Sequence, residues 1–274
     1  ATALQFLFGG LLSTFIVFYF RSAVLSVTWP FFLVLFAAFV ANEALKRSYL
    51  RLAFQIAFLS LSILLFAVYG VPLLAHRTGA DIFILSSIVS LGVVVVFIAI
   101  LRASVKDLLK RQNKRVLIGA ITGVFVVMNG LYFFHLIPPL PLSLADTGVY
   151  HSIIKLPDGS YSVTEEAEEN TLQTWLADLI ERPKTIHAAK GERIYAYTAI
   201  FSPIAFTVNT MHTWEWYDPE SKEWVVKIAS ELPIVGGREG GFRTYSSIQD
   251  PREGKWRVSV ETGSGEVIGR IPIT

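Results

Sequence analysis

Five stretches of this chain each run for roughly twenty residues almost without charge, the length that one helix needs to cross a bilayer's hydrocarbon core. They fall near residues 3–20, 23–41, 52–74, 82–101 and 116–137. A membrane α-helical bundle of about five spans is therefore expected over 1–137. Composition agrees, since 53% of the 274 residues are hydrophobic and mean hydropathy is +0.50, more apolar than a soluble chain of this length. No A-x-A-like site follows the first run, so it reads as a span and not as a cleaved leader.

Charge divides the chain at the same place. Residues 1–137 carry 11 Lys and Arg against 3 Asp and Glu, whereas 138–274 carry 13 against 19. Nine of the 11 cations in the first part lie in two loops, 42–51 and 102–115. Positively charged loops stay on the cytoplasmic side, so the N-terminus is expected inside and everything after 137 outside. In a bacterial inner membrane, outside is the periplasm. An acidic outer half gives no reason to expect a nucleic-acid partner.

The spans hold few ionisable groups: Glu43 and Asp81 fall at predicted ends, and His135 near the exit of the fifth. Intramembrane charges mark proton relays and ion paths, and their scarcity argues against a pump. Asn42, Gln55 and Asn129 are the strongly polar candidates, expected to bond between helices. Gly9-Gly10 and the Gly119/Gly123 pair allow close helix approach.

After the last span, Ile137-Pro138-Pro139-Leu140-Pro141 favours extended polyproline II. Residues 138–147 are read as a stiff linker, and 148–274 as a separate, mostly β domain. There the hydrophobic period drops to two. Tyr195, Tyr197 and Phe201 share one face; His212, Trp214 and Trp216 share another; Trp256, Val258 and Val260 alternate with Lys255, Arg257, Ser259 and Glu261. Strands are expected at 148–156, 161–164, 193–201, 212–217 and 255–261. Turns are expected at Asp218-Pro219, through 236–241 (GGREGG), and at Gly263-Ser264-Gly265. Short strands at this spacing predict an immunoglobulin-like sandwich. Residues 165–181 carry Leu172, Trp175, Leu176 and Leu179 at helical spacing, which predicts one helix.

Candidate chemistry is sparse. With no cysteine, disulfides, thiolate metal sites and cysteine nucleophiles are excluded. His76, His135, His151, His187 and His212 form no H-x-x-x-H pair, and no metal or cofactor site is expected. The glycine run 236–241 lacks the Lys-Ser/Thr ending of a phosphate loop. No G-x-S-x-G elbow is present. Trp214 and Trp256 are expected in the core. His212, beside two tryptophans, is read either as a satisfied structural histidine or, with Trp216, Trp224, Arg238, Arg243 and Tyr245, as part of a surface for a partner or ligand, since such surfaces favour aromatics and arginine.

Residues 137–151 (IPPLPLSLADTGVYH), 195–203 (YAYTAIFSP), 212–217 (HTWEWY), 233–245 (PIVGGREGGFRTY) and 254–273 (GKWRVSVETGSGEVIGRIPI) resemble bacterial membrane proteins that carry the domain of unknown function 2914. The resemblance implies a multi-span region joined to that C-terminal domain, and it supplies no catalytic residues to carry over. The expected function is a non-catalytic membrane protein, an accessory or assembly subunit whose outer domain binds a protein partner or an envelope polymer. Its expected partners are membrane lipid and other membrane-protein subunits. Two other classes stay open: a transporter or channel component using Asn42, Gln55 or Asn129, and an envelope enzyme acting on glycan or lipid through His151 or His212.

Overall fold

The structure is a computed structural model. It describes all residues except 1, 21, 46–50, 106–112, 141, 157–160 and 165–182, together with the side chains of 155, 202–208 and 234–241. The helix expected over 165–181, and Trp175 with it, lies outside the described residues. The chain forms two compact units, 1–141 and 142–274.

Among the described residues, the first unit holds five apolar helices long enough to cross a membrane: α1 (Thr2–Phe20), α2 (Leu25–Ala44), α3 (Leu52–Ala75), α4 (Ala80–Ser104) and α5 (Lys114–Phe133). Their positions follow the uncharged runs closely. Helix α3 is central, packing on α1, α4 and α5, while α2 packs on α1. Phe8, Leu12, Phe15 and Tyr19 form the buried stripe of α1, meeting Phe58, Leu61 and Leu65 of α3. Several polar groups inside find carbonyl partners, although the buried Ser62 and Ser90 hydroxyls find none among the described residues. Thr28, Ser60 and Ser86 donate to carbonyls four residues back, and Tyr19 Oη crosses to the Leu65 carbonyl at 3.1 Å. Large apolar side chains such as Phe6, Leu33, Phe66, Ile88 and Ile118 point outward, the arrangement that lipid rather than water favours. Helix α3 ends where His76 turns to φ 55°, and α4 opens at Gly79 with φ 139°. A glycine tolerates that angle where other residues strain.

The proline segment is shorter as a linker than expected. Ile137 and Leu140 are buried in the helical core, and the first strand already begins at 143.

The second unit is a β-sandwich with strands β1 (Ser143–Tyr150), β2 (Ser152–Lys155), β3 (Tyr161–Thr164), β4 (Arg193–Asp218), β5 (Glu223–Gln249), β6 (Trp256–Thr262) and β7 (Val267–Ile273). Two expected strands, 193–201 and 212–217, are one strand here. The glycine run 236–241, expected as a turn, lies within β5. Both misreadings have one cause: β4 and β5 form a single long hairpin that folds over on itself. Thr198 and His212 are 14 residues apart on β4, yet their side chains bond at 2.9 Å. A straight strand would hold them about 46 Å apart at the usual rise. The register is irregular between Ile200 and Phe206, and there the hairpin bends.

The bend makes two layers from one hairpin. One layer holds β1, the first half of β4 and the second half of β5. The other holds the first half of β5, the second half of β4, then β6 and β7. Between them lie Ile194, Ala196, Ile248, Trp214, Trp256, Val258, Ile271 and Ile273, so both tryptophans expected in the core are there. The small β2–β3 hairpin roofs the outer face of the first layer, packing Ile153, Tyr161 and Val163 on Tyr150, Tyr195 and Tyr197. Residue 184 bridges β7 at Ile273 and extends the second layer.

The layers also close where β1 meets β7. Leu144 fills the space a side chain on Gly269 would need. Replacing Gly269 with Val should displace Leu144 and lower stability by about 1–3 kcal/mol, the usual penalty for overpacking. Urea unfolding followed by tryptophan fluorescence measures this, and an unchanged midpoint would show that the two strands do not meet.

Candidate functional site

Of the six residues read as one surface, the structure buries one, splits four between two places, and leaves the side chain of Arg238 outside the described residues.

His212 leaves the surface and bears out the other reading, a satisfied structural histidine. It is 0% exposed, in the seam between the two layers. Its Nε2 lies 2.9 Å from Thr198 Oγ1 and its Nδ1 lies 2.9 Å from Ser246 Oγ. Trp214 Nε1 donates to the same Ser246 oxygen at 2.9 Å, and Thr198 Oγ1 lies 3.1 Å from Thr244 Oγ1. An indole N–H can only donate. A proton order that uses every group then runs from Trp214 to Ser246, to His212 Nδ1, and from His212 Nε2 through Thr198 to Thr244. The imidazole is neutral in this order. Burial lowers the His212 pKa to about 4, since an imidazolium here would lose its water. The alternation that put His212 on a face with Trp214 was right; that face is the interior.

Trp216 and Trp224 lie near the closed end of the β4–β5 hairpin, opposite Val225 and Tyr217 respectively. Asp218 shapes the turn: its carboxylate accepts from Glu220 N and Ser221 Oγ at 3.0 Å each, bonds that hold its pKa below the usual range. Trp224 packs edge-on against Tyr217, ring centroids 5.3 Å apart. The Arg257 guanidinium lies 4.3 Å from the Trp224 ring centre. Glu215 fixes that guanidinium with two bonds, Nε to Oε2 at 2.6 Å and Nη2 to Oε1 at 2.8 Å, and also accepts from Ser259 Oγ at 2.8 Å. Burial alone would raise the Glu215 pKa, but the bonds from Arg257 and Ser259 outweigh it and the net shift is downward. Trp216 donates to the Glu253 carbonyl at 3.3 Å, with Lys227 and Arg252 over its ring. Beside these rings, Val226 is 55% exposed. The sequence reading named the two tryptophans and missed Arg257 and Tyr217. The signal was present: Arg257 alternates with the core residues Trp256 and Val258, so it had to face outward beside β4.

Arg243 and Tyr245 lie elsewhere, on the outer face of the other layer. Tyr245 sits opposite Tyr197 on β4, and Arg243 sits opposite Ala199. Tyr161 packs edge-on against both Tyr245 and Tyr197, and its hydroxyl reaches the Arg243 carbonyl at 3.4 Å. Gly148 leaves the room that the Tyr150 ring occupies in the same row.

His151, considered for catalysis, pairs with Glu192 at 2.7 Å. A bond from the Ala189 N–H and the contact with His151 lower the Glu192 pKa. The adjacent hydroxyl, Ser152 Oγ, bonds Thr164 Oγ1 instead. No cluster of three or more metal-ligating side chains occurs among the described residues.

The class defined by these features is a chain with five apolar helices that could span a membrane, followed by an immunoglobulin-like β-sandwich. The family described as a protein of unknown function (DUF2914) matches residues 209–272, which run from the second half of β4 through β7. No curated protein matches. Among solved structures, an immunoglobulin-like protein of Pseudomonas aeruginosa is similar at 7% identity and a TM-score of 0.26, over 48% of this chain and 94% of that one. The alkylpurine DNA glycosylase AlkC of Pseudomonas fluorescens, bound to DNA containing an abasic site analog, matches at 12% identity and a TM-score of 0.27. It covers 61% of this chain and 40% of that one. Neither likeness carries a functional argument.

The neutral His212 makes stability depend on pH. The unfolded histidine titrates near 6.5 and the folded one near 4, so between these values the unfolded chain binds a proton that the folded chain does not. This contribution is fully present above pH 6.5 and falls on acidification by about 1.4 kcal/mol per pH unit, about 3 kcal/mol in all. Denaturation at pH 7, 5.5 and 4.5 should show a steeper loss for the wild type than for His212→Gln. Equal slopes would mean that the imidazole is charged inside the fold.

Proposed function

We propose that this is a non-catalytic, membrane-anchored protein, an accessory or assembly subunit whose β-sandwich binds a protein partner outside the cytoplasm. The helices anchor it in a bacterial inner membrane, with the N-terminus cytoplasmic and the sandwich in the periplasm. The cation-rich loops 42–51 and 102–115 support that orientation through the positive-inside rule.

One observation carries the binding reading: the Trp224–Arg257–Tyr217 cluster is held in place before any partner arrives. Trp, Tyr and Arg dominate the energetics of protein interfaces. Here Arg257 is locked by two bonds to Glu215 and covers Trp224, so little side-chain entropy is left to lose on docking. Beside it, Val226 offers an apolar contact.

Purification in mild detergent from native membranes should bring down a stoichiometric partner. Trp224→Ala should weaken that association by at least about tenfold, as loss of an interface anchor does, while thermal stability changes little. A chain that migrates alone, or a Trp224→Ala variant that keeps its partner, overturns the reading.

A second reading, a transport component, draws on an open groove of about 550 Å³ between α1 and α2, lined by Gln5, Gly9, Ser13, Asn42 and Glu43. Asn42 donates to the Gln5 carbonyl at 3.1 Å there. By contrast, Asn129 is engaged within the bundle, by the Phe125 carbonyl at 2.8 Å and Ser87 Oγ at 3.4 Å.

A further inference from the structure

We propose that two copies of this chain pair edge to edge through residues 242–249 of β5, so that the partner at this edge is a second copy of the chain. The inference is independent of the membrane reading and of the Trp224 surface.

Among the described strands, β5, which is 27 residues long, pairs with β4 alone, so no described strand lies along its other edge. Unpaired edges invite other strands, and proteins guard them with bulges, prolines and charges. The first half of β5 is guarded in all three ways. A register shift between Trp214 and Glu215 bulges Lys227 out of the ladder, Lys227 is a charge on the edge, and Pro233 has no N–H to donate. Residues 242–249 have none of these interruptions. From Ile200↔Phe242 to Arg193↔Gln249 the register runs without a break, with no proline and with Arg243 as its single charged residue. An eight-residue edge left straight, next to one that is guarded, is suited to receive a strand.

The residues on that edge fit their own copy. In an antiparallel pair related by a two-fold axis, contacts repeat reciprocally. With Thr244 on the axis, Arg243 of one copy faces Tyr245 of the other, and Tyr245 faces Arg243. Facing residues in a ladder project to the same side. Arg243 and Tyr245 share the outer face of their layer. Both are exposed, Tyr245 at 39%, and Tyr161 holds the Tyr245 ring edge-on from within its own copy. Two reciprocal cation–π contacts result, and the like charges of the two Arg243 side chains are kept out of register. A foreign strand would have to supply both an aromatic and a cation at the same spacing.

The chain has no cysteine, so the register can be tested by cross-linking the full chain in detergent. Arg243→Cys and Tyr245→Cys are prepared separately, oxidised alone, and oxidised after mixing. The mixed dimer sets the two introduced thiols against each other at one contact and keeps a native Arg–Tyr pair at the other, whereas each variant alone loses both pairs. The expected result is a disulfide dimer formed many-fold faster in the mixture than in either sample alone. By light scattering, the wild type should have the mass of two chains. Arg243→Glu should weaken the dimer by about tenfold, as loss of two such contacts implies, and Arg243→Lys should largely retain it. Four outcomes overturn the proposal: a wild-type chain that is monomeric at all concentrations, no excess cross-linking on mixing, a dimer insensitive to Arg243→Glu, or a different polypeptide protected along 242–249.

Discussion

The hydrogen bonds that hold His212 from both sides tie the sandwich together. Thr198 comes from one half of β4, His212 from the other, and Ser246 from the returning strand, so a single imidazole spans the seam between the layers. A polar group in such a place costs free energy unless its partners are all present. Here they are, and the network specifies one way of stacking the layers: a slip of either by one residue turns every partner to the opposite face. Trp214 reinforces it, placing its ring in the apolar core while its N–H meets Ser246.

The same arrangement explains how the two aromatic surfaces arise. Once Ile194, Ala196, Trp214 and Val258 face inward, the alternating residues must face out. In one layer these are Tyr195, Tyr197, Arg243 and Tyr245; in the other they are Glu215, Tyr217, Trp224 and Arg257. Each outward row is then ordered by its own neighbours. The first is packed by the β2–β3 hairpin, and the second is fixed by the Glu215–Arg257 pair. Both positions of the surface are thus consequences of the seam.

Much of this was legible in the residues. The five helices were, because an uncharged run of membrane-crossing length has few other ways to fold, and Lys255 to Glu261 announced β6 through clean alternation. The long hairpin was not. Alternation continues through β4 with nothing to mark that Phe201 and His212 belong to one strand, and a glycine run such as 236–241 reads as a turn in sequence although it serves as a bend within a strand. His212 shows a further limit. Periodicity assigns a residue to a face, whereas only the stacking of layers decides which face is covered. Arg257 became meaningful only when the register set it beside Glu215, a pair 42 residues apart.

The continuous hairpin also bears on how this domain forms. Its strands meet first at the tight turn after Asp218, and each further pair toward Arg193 and Gln249 closes a loop only slightly larger than the last. Loop-closure entropy is then met in small steps, which makes the long ladder quick to grow for a β structure. The seam, however, exists only after the ladder has passed the irregular stretch near Ile200 and doubled back. Stacking of the layers therefore presupposes the hairpin, and it is the stacking that covers Trp214.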